Sequence, residues 1–318
     1  MKYFKIISFS IVLILSSFLI SCSNNEILDN NKDIDFSENI NIDKNEDIEN
    51  EEENNSNKTN INNNNLEEER LKKEQELKEE EEKKKPINGV NSNGEEYSYD
   101  ANVIWERLQN YNYSNNGEKI VFLTFDDGPS TTVTPKVLDI LNKNNVKGTF
   151  FITGQQLEKP QSQELLKEIF EGGHAIGNHT YSHNYSYLYP NRSLNLENFK
   201  TDINKTNSKL KEILGDNFNT RVIRCPGGYM SWDNMSPLKD YFYSNNLVSM
   251  DWNALIKDAE GKKKTPSELL DFAISTSANK DIVVLLMHDT YGKENTAEAL
   301  QGIIDYYKNQ GYSFKTLK

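Results

Sequence analysis

The chain has 318 residues, of which 36% are hydrophobic and 27% are charged, and its formal net charge is -13. The acidity is uneven, because residues 23–100 carry 24 acidic and 10 basic side chains, whereas residues 101–318 carry 25 and 24. The near-neutral C-terminal part has no basic stripe, which argues against nucleic acid as the main partner. Two cysteines, Cys22 and Cys225, exclude a disulfide scaffold and a cysteine-rich zinc site.

The N-terminus has the pattern of an export signal. Lys2 and Lys5 precede an apolar run over residues 6–20, which is short for a membrane-spanning helix. The run ends at Cys22 and polar residues follow, which resembles the bacterial lipoprotein signal. We therefore expect residues 1–22 to be a signal peptide and Cys22 to be lipidated. The protein would then be exported and anchored by lipid to the outer face of a bacterial membrane. An uncleaved membrane anchor is the alternative.

Residues 23–100 are predicted to be a linker. Residues 23–65 are rich in Asn, Asp and Glu and contain too little apolar surface to offset their ordering entropy, so we expect disorder there. Residues 66–85 mix Glu and Lys at i,i+4 spacings, which favours a solvated helix. A coiled coil is the alternative, but the leucines are sparse. We predict an acidic tether followed by one domain over residues 101–318.

Strands and helices alternate in that domain. Apolar, β-branched or aromatic runs predict strands over residues 119–125, 148–153, 175–178, 221–224, 247–252, 281–287 and 312–317. Amphipathic stretches predict helices over residues 135–145, 161–171, 194–214, 237–245, 267–278 and 296–310. This alternation indicates a parallel α/β domain, either a barrel or a doubly wound sheet. In both, reactive groups lie at the C-terminal ends of the strands.

Carboxylates, imidazoles and a guanidinium follow the ends of the predicted strands: Asp126, Asp127, His179, His183, Arg224 and His288. Three of the four histidines in the chain therefore fall at one predicted face. Chance would scatter them, so this clustering is the main functional signal of the sequence.

The two aspartates and two of the histidines favour a metal site. Adjacent residues on a strand point to opposite faces, so Asp126 and Asp127 reach one pocket only if the strand breaks, which the following Gly-Pro would allow. A turn or a helix N-cap is the alternative. The i,i+4 spacing puts His179 and His183 on one side of a helical turn. With Asp127 they form a His₂Asp set that leaves positions open for water, as catalytic zinc requires. His174 is interpreted as a buried structural residue.

Two further segments have groups suited to proton transfer and charge stabilisation. His288 ends a buried strand, where an imidazole can protonate a leaving group. Arg224 can hold a carboxylate, and the glycines that follow, including Gly227, let a backbone N–H approach an oxyanion. Cys225 is interpreted as a small buried thiol rather than a metal ligand.

These residues together resemble the polysaccharide deacetylases of carbohydrate esterase family 4, the nodulation-deacetylase-like domain. The resemblance covers residues 118–318. It rests on four motifs in order: TFDDGP at 124–129, HTYSH at 179–183, RCPGG at 224–228 and LMH at 286–288. It implies an α/β fold, a distorted (β/α) barrel with parallel strands.

The resemblance also implies a role for each motif residue. A divalent metal, usually zinc with cobalt or nickel as alternatives, would be bound by Asp127, His179 and His183. Asp126 would be the general base, held by Arg224, and His288 would be the general acid. The backbone N–H of Gly227 would stabilise the oxyanion.

The sequence departs from the family pattern in two places. The first is the fourth motif, where Leu255 replaces the usual earlier acid and Ala259 replaces the usual tryptophan if Trp252 is matched to the strand tryptophan. This match puts the acid that tunes His288 at Asp258, which preserves its distance from the strand. The alternative assigns that role to Asp251. The second departure is Gly227, which stands where a bulky aromatic residue is common and therefore removes a pocket wall.

The resemblance implies metal-dependent hydrolysis of the N-acetyl group of an amino sugar. An exported, tethered enzyme faces the cell wall, so the expected substrate is peptidoglycan N-acetylglucosamine. Chitin oligomers, poly-N-acetylglucosamine and acetylxylan are alternatives. A non-catalytic glycan-binding lipoprotein and a scaffold assembled through residues 66–85 are alternatives from other classes. The expected partners are an acetylated glycan polymer and, through the lipid anchor, a membrane, with the protein itself a monomer.

Overall fold

The computed structural model describes residues 69–78 and 85–318. The predicted signal peptide, Cys22 and most of the predicted tether lie outside these residues. Residues 69–78 form helix α1 with all side chains exposed, inside the stretch for which the charge pattern predicts a solvated helix. In the described ranges, no helix is both long and apolar enough to cross a membrane.

Strands and helices alternate over most of the larger described range, as the sequence pattern predicts. The strands are β1 (Ile87–Asn88), β2 (Ser98–Tyr99), β3 (Ile120–Asp126), β4 (Thr149–Ile152), β5 (Ala175–Asn178), β6 (Phe218–Asn219), β7 (Val222–Ile223), β8 (Val248–Ser249), β9 (Ala254–Leu255), β10 (Ile282–His288) and β11 (Ser313–Leu317). The helices are α2 (Ala101–Gln109), α3 (Thr134–Lys143), α4 (Pro160–Glu171), α5 (Tyr185–Leu188), α6 (Leu196–Leu214), α7 (Ser236–Ser244), α8 (Pro266–Ser277) and α9 (Glu294–Asn309).

One curled parallel sheet organises the domain, in the order β2-β11-β3-β4-β5-β7-β8, with β10 on β3 and β9 on β10. β10 pairs with β3 along its full length, so that His288 lies opposite Asp126. Every pairing is parallel, and the C-terminal ends of β3, β5, β7 and β10 therefore meet at one edge. This is the distorted barrel of parallel strands that the family resemblance implies.

The two faces of β3 have different partners. Val121, Leu123 and Phe125 face a core shared with the surrounding helices, whereas Ile120 and Phe122 pack in a second cluster that includes residues of α2. Because side chains alternate along a strand, the face that begins with Ile120 and Phe122 continues with polar residues at 124 and 126. An apolar layer therefore lies directly beneath the reactive groups.

Helix α2 was not predicted, although it has a helical signature. Asp100 caps it, its side chain accepting a hydrogen bond from the N–H of Asn102 at 2.9 Å. Ala101, Ile104 and Leu108 are buried on one face. They pack in the cluster on the inner side of β3, so α2 fills the interior of the curled sheet.

Residues 85–100 pack on the domain, although the sequence places them in the linker. Ile87 pairs with Phe218, and β2 pairs with β11. Val90 is 2% exposed. Strands of two residues are too short to give a periodic signal in the sequence.

Strand β8 is shorter than predicted. The apolar pattern predicts a strand over residues 247–252, but pairing covers only Val248–Ser249. The next two carbonyl groups, of Met250 and Asp251, accept hydrogen bonds from the guanidinium of Arg224 instead of from a neighbouring strand.

Candidate active site

The two adjacent aspartates both face His179 because the chain turns sharply at Asp127. β3 ends at Asp126, and Asp127 has a left-handed backbone with φ 71°. Nε2 of His179 lies 3.7 Å from Oδ2 of Asp126 and 3.4 Å from Oδ1 of Asp127. The strand therefore breaks at Asp127, directly before the Gly128–Pro129 peptide bond, which is cis. Aspartate is one of the few residues that tolerates this conformation.

Asp127, His179 and His183 form a donor set that fits a divalent metal. Oδ1 of Asp127 lies 3.4 Å from Nε2 of His179 and 3.3 Å from Nε2 of His183, and one ligand atom from each residue lies within 4.8 Å of the others. A tetrahedral zinc centre with bonds of about 2.0–2.1 Å separates neighbouring ligand atoms by about 3.3–3.4 Å. Oδ1 of Asp127 is buried and has no hydrogen-bond partner among the described residues. A cleft of about 210 Å³ opens beside Asp127 and His183.

His179 is held in the tautomer that a metal ligand needs. Its Nδ1 lies 2.7 Å from the backbone carbonyl of Arg224. A carbonyl can only accept, so Nδ1 carries the hydrogen and Nε2 directs its lone pair at Asp127. Burial, together with the imidazole of His183, lowers the pKa of His179 to about 3, so the ring is neutral at pH 7.

The loop that carries both histidines is not the helical turn expected from their spacing. Thr180 and His183 have positive φ angles of 64° and 50°. The carboxylate of Asp202, on α6, accepts hydrogen bonds from the N–H groups of Tyr181 at 3.1 Å and Ser182 at 2.8 Å. These hydrogen bonds take the place of the backbone hydrogen bonds that a helical turn would form, and they hold the loop so that the rings of His179 and His183 lie together. The sequence had no local signal for Asp202, which lies far along the chain.

Arg224 is fully buried and satisfies its hydrogen bonds within the site. Nη1 lies 2.7 Å from Oδ1 of Asp126 and 2.7 Å from Oγ1 of Thr124. Nε and Nη2 donate to the backbone carbonyls of Met250 and Asp251. Burial raises the pKa of Asp126 above its usual range, and the positive charge of Arg224 offsets part of that rise.

The structure places Asp258, not Asp251, beside His288. Nδ1 of His288 lies 2.9 Å from Oδ1 of Asp258, whose other oxygen accepts the backbone N–H of His288 at 2.8 Å. Burial opposes a charge on His288, but the hydrogen bond and negative charge of Asp258 outweigh it and raise the pKa of His288 to about 9. The carboxylate of Asp251 instead accepts the N–H groups of Tyr229 and Met230.

Two aromatic side chains fill the space beside Gly227. Its φ is 77°, and a Cβ there would lie 3.1 Å from the Trp232 ring and 3.4 Å from the Tyr185 hydroxyl. Trp232 is fixed by an indole N–H donated to the carbonyl of Pro226 and by stacking on Tyr189. The N–H of Gly227 donates to no acceptor in the part of the chain that the structure describes. The pocket wall that the sequence lacks at position 227 is therefore supplied from elsewhere in the chain.

Asp289 was also not predicted, and it supports the turn after β3. It is fully buried, and its Oδ2 accepts a hydrogen bond from Oγ1 of Thr134 at 2.6 Å. Its backbone carbonyl accepts one from Oγ of Ser130 at 2.6 Å. A Cβ on Gly128 would lie 2.4 Å from the Asp289 carboxylate, so only glycine fits there. Burial raises the pKa of Asp289 to about 7.

Comparison with known proteins agrees with this geometry. Residues 113–243 match the family described as polysaccharide deacetylase. Over 242 residues, 73% of this chain, it is 31% identical to the peptidoglycan-N-acetylmuramic acid deacetylase PdaA of Bacillus subtilis, of which 85% is covered. It is 34% identical over 206 residues to a peptidoglycan-N-acetylglucosamine deacetylase of Bacillus cereus, covering 64% of this chain and 88% of the relative. A solved structure of a Streptococcus mutans CE4 esterase matches with a TM-score of 0.67 and 37% identity, covering 74% of this chain and 98% of that one. The chain therefore belongs to the polysaccharide deacetylases of carbohydrate esterase family 4, and it is a hydrolase.

Proposed function

We propose that this protein removes N-acetyl groups from peptidoglycan N-acetylglucosamine, with zinc as its metal. The observation that carries the proposal is the arrangement around the His₂Asp donor set. Asp126 and His288 lie opposite each other on paired strands, one held by Arg224 and the other by Asp258. A proton acceptor and a proton donor therefore flank one site, as hydrolysis of an amide requires.

Each residue then has one task. A metal bound by Asp127, His179 and His183 supplies Lewis acidity toward the acetyl carbonyl and lowers the pKa of water. Asp126 accepts a proton from the attacking water through Oδ2, because Arg224 occupies Oδ1. His288, protonated at neutral pH, donates a proton to the leaving amine nitrogen. The N–H of Gly227 donates to the developing oxyanion.

The location and organisation of the chain belong to the same proposal. Residues 1–22 direct export, lipid on Cys22 holds the protein at the outer face of the membrane, and the following acidic segment acts as a tether. The catalytic domain works as a monomer on a glycan polymer. The support for this part is the signal pattern and composition of the N-terminal sequence.

The choice of sugar rests on the relatives. The similar Bacillus cereus protein is named for N-acetylglucosamine and the Bacillus subtilis protein for N-acetylmuramic acid. N-acetylmuramic acid is therefore the second candidate, supported by the longer match of 242 residues. Both sugars occur in one polymer, so a single digest can separate the candidates.

The test is acetate release by the purified full-length protein in detergent. We expect release from peptidoglycan, abolition by a chelator and recovery when zinc is added, because the donor set holds the metal. Mass spectrometry of the digested product then assigns the deacetylated sugar. Chelator-resistant release would contradict the metal requirement. Metal binding without release from peptidoglycan, chitin oligomers or acetylxylan would contradict the proposed activity.

Asp258→Asn is expected to move the alkaline limb of the pH–rate profile to lower pH. A general acid must be protonated, so the wild-type rate should fall only as the pH rises through about 9, the pKa of His288. Without the charge of Asp258, burial lowers that pKa toward or below its ordinary 6.5. The kcat measured against pH checks this, with metal content as the control. An unmoved limb would exclude His288 as the acid.

A further inference from the structure

A second cleft, of about 520 Å³, lies between the C-terminal end of α2 and the loop after Arg224. Its volume falls in the range of about 300–1,000 Å³ usual for small-molecule sites. Its apolar lining comes from Trp105, Tyr111, Tyr113, Trp252 and Met230. Gln109 and Asn110 add amide groups that can donate and accept hydrogen bonds. The cleft thus combines aromatic surface with a polar rim.

Two of these apolar side chains are largely in water. Tyr111 is 75% exposed and Met230 is 70% exposed. Tyr111 also has a positive φ of 51°, a conformation that a bulky side chain rarely adopts. Neither the exposure of its ring to water nor the positive φ of its backbone favours a tyrosine at position 111. Exposed apolar surface gathered at one cleft is typical of a binding site.

The cleft borders the loop that carries Gly227. Gly228 lines it and follows Gly227 directly, with consecutive Cα atoms about 3.8 Å apart. A Cβ on Gly228 would lie 3.0 Å from the ring of Trp252, so the two residues form one surface. That ring also lies 5.7 Å from the guanidinium carbon of Arg224, which holds Asp126. The cleft is therefore placed to receive the next unit of a polymer bound beside Gly227.

The lining suits an uncharged ring with an apolar face and hydroxyl edges. No lysine, arginine or histidine is among the described residues that line the cleft. The only carboxylate, Asp251, already accepts two backbone N–H groups. Aromatic faces carry negative charge density and attract polarised C–H groups. A pyranose ring presents such C–H groups on its face and hydroxyl groups around its edge.

We propose that this cleft is a subsite for a second pyranose unit of the glycan, next to the unit that loses its acetyl group. The proposal rests on the proposed function. It predicts that longer glycans bind better than short ones and that this gain depends on the ring of Tyr111. Since the cleft has no cationic side chain, the gain does not depend on salt concentration.

The test compares Tyr111→Asn with the wild-type full-length protein, because asparagine tolerates a positive φ. N-acetylglucosamine and its tetramer are titrated against tryptophan fluorescence, to which Trp105 and Trp252 contribute from within the cleft. Acetate release from both ligands is then measured. For the tetramer we expect affinity and kcat/KM to fall about tenfold, as for loss of one aromatic contact. The values for the single sugar should stay within twofold, because it has no second unit to place in the cleft. Tyr243→Asn, a control at a tyrosine that is 90% exposed and outside the cleft, should change the values for neither ligand.

The outcomes separate this subsite from the proposed function. Tetramer values within twofold of wild type in Tyr111→Asn, and also in Met230→Ser, would overturn the subsite while the deacetylase activity stands. A cleft that serves an apolar protein partner would give that same result. Tetramer binding that depends on Tyr111, without acetate release from any oligomer, would overturn the proposed function while the subsite stands. An equal loss for the single sugar and the tetramer would also overturn the subsite, since Tyr111 would then act at the reactive centre.

Discussion

Asp126→Asn is expected to lower kcat for acetate release by about 10²–10⁴-fold, the usual contribution of a positioned general base. The amide cannot take a proton from water, but its oxygen can still accept the hydrogen bond from Nη1 of Arg224. We therefore expect the variant to remain folded. Steady-state kinetics on peptidoglycan or N-acetylglucosamine oligomers measure the effect.

The matched control is the neighbouring substitution Asp127→Asn. Asp126 lies outside the donor set formed by Asp127 and the two histidines, so Asp126→Asn should retain bound zinc. Asp127→Asn should lose it, because the ligand oxygen loses its charge. Metal analysis of both purified variants checks this contrast. Turnover within tenfold of wild type in Asp126→Asn would rule out its role as base.

Arg224→Met is expected to lower the free energy of unfolding by about 3–5 kcal/mol, the cost of breaking a buried ion pair. The guanidinium is fully buried, and its loss leaves Asp126 as an unpaired carboxylate that is 2% exposed. The carbonyl groups of Met250 and Asp251 also lose their donor. Urea denaturation of the chelated protein measures the change without a contribution from metal binding.

Arg221→Met is the control for that substitution. Arg221 pairs with Asp100 at 3.3 Å, but the side chain of Asp100 is 54% exposed. A pair screened by water contributes about 0–1 kcal/mol. Adding Asp126→Asn to Arg224→Met should restore part of the lost stability, because no unpaired charge then remains buried at position 126. A loss below about 1 kcal/mol in Arg224→Met would contradict this account.

The elements that were predicted well are those whose burial determines a clear pattern of apolar residues. β10 is buried on both faces between β3 and β9, so its sequence is a continuous apolar run, which is typical of a buried strand. The long helix α6 ends at Leu214, as its amphipathic pattern predicts, and Gly215 is its C-cap. The short strands were poorly bounded, because two residues cannot show alternation.

The same distinction applies to the site. The motif residues at the strand ends were identifiable because each is chemically unusual in an apolar context, as His288 is at the end of β10. The sequence did not identify Asp202, Tyr185 or the cleft beside α2, because their positions depend on contacts between separate segments. For the same reason, the prediction of a helical turn for His179 and His183 was wrong. The carboxylate of Asp202 takes the amide donors that a helix would have used.

The carboxylate of Asp202 also bears on the size of ion that the site suits. Asp202 accepts hydrogen bonds from the histidine loop, and the carbonyl of Arg224 lies 2.7 Å from Nδ1 of His179. Contacts within the protein therefore set the spacing of the ligand atoms. Gaps of 3.3 and 3.4 Å match the short bonds of small ions, whereas calcium, with bonds of about 2.3–2.6 Å, requires wider spacing. The segments that hold the loop and the ring thus bear on selection by ionic radius, although they provide no ligand.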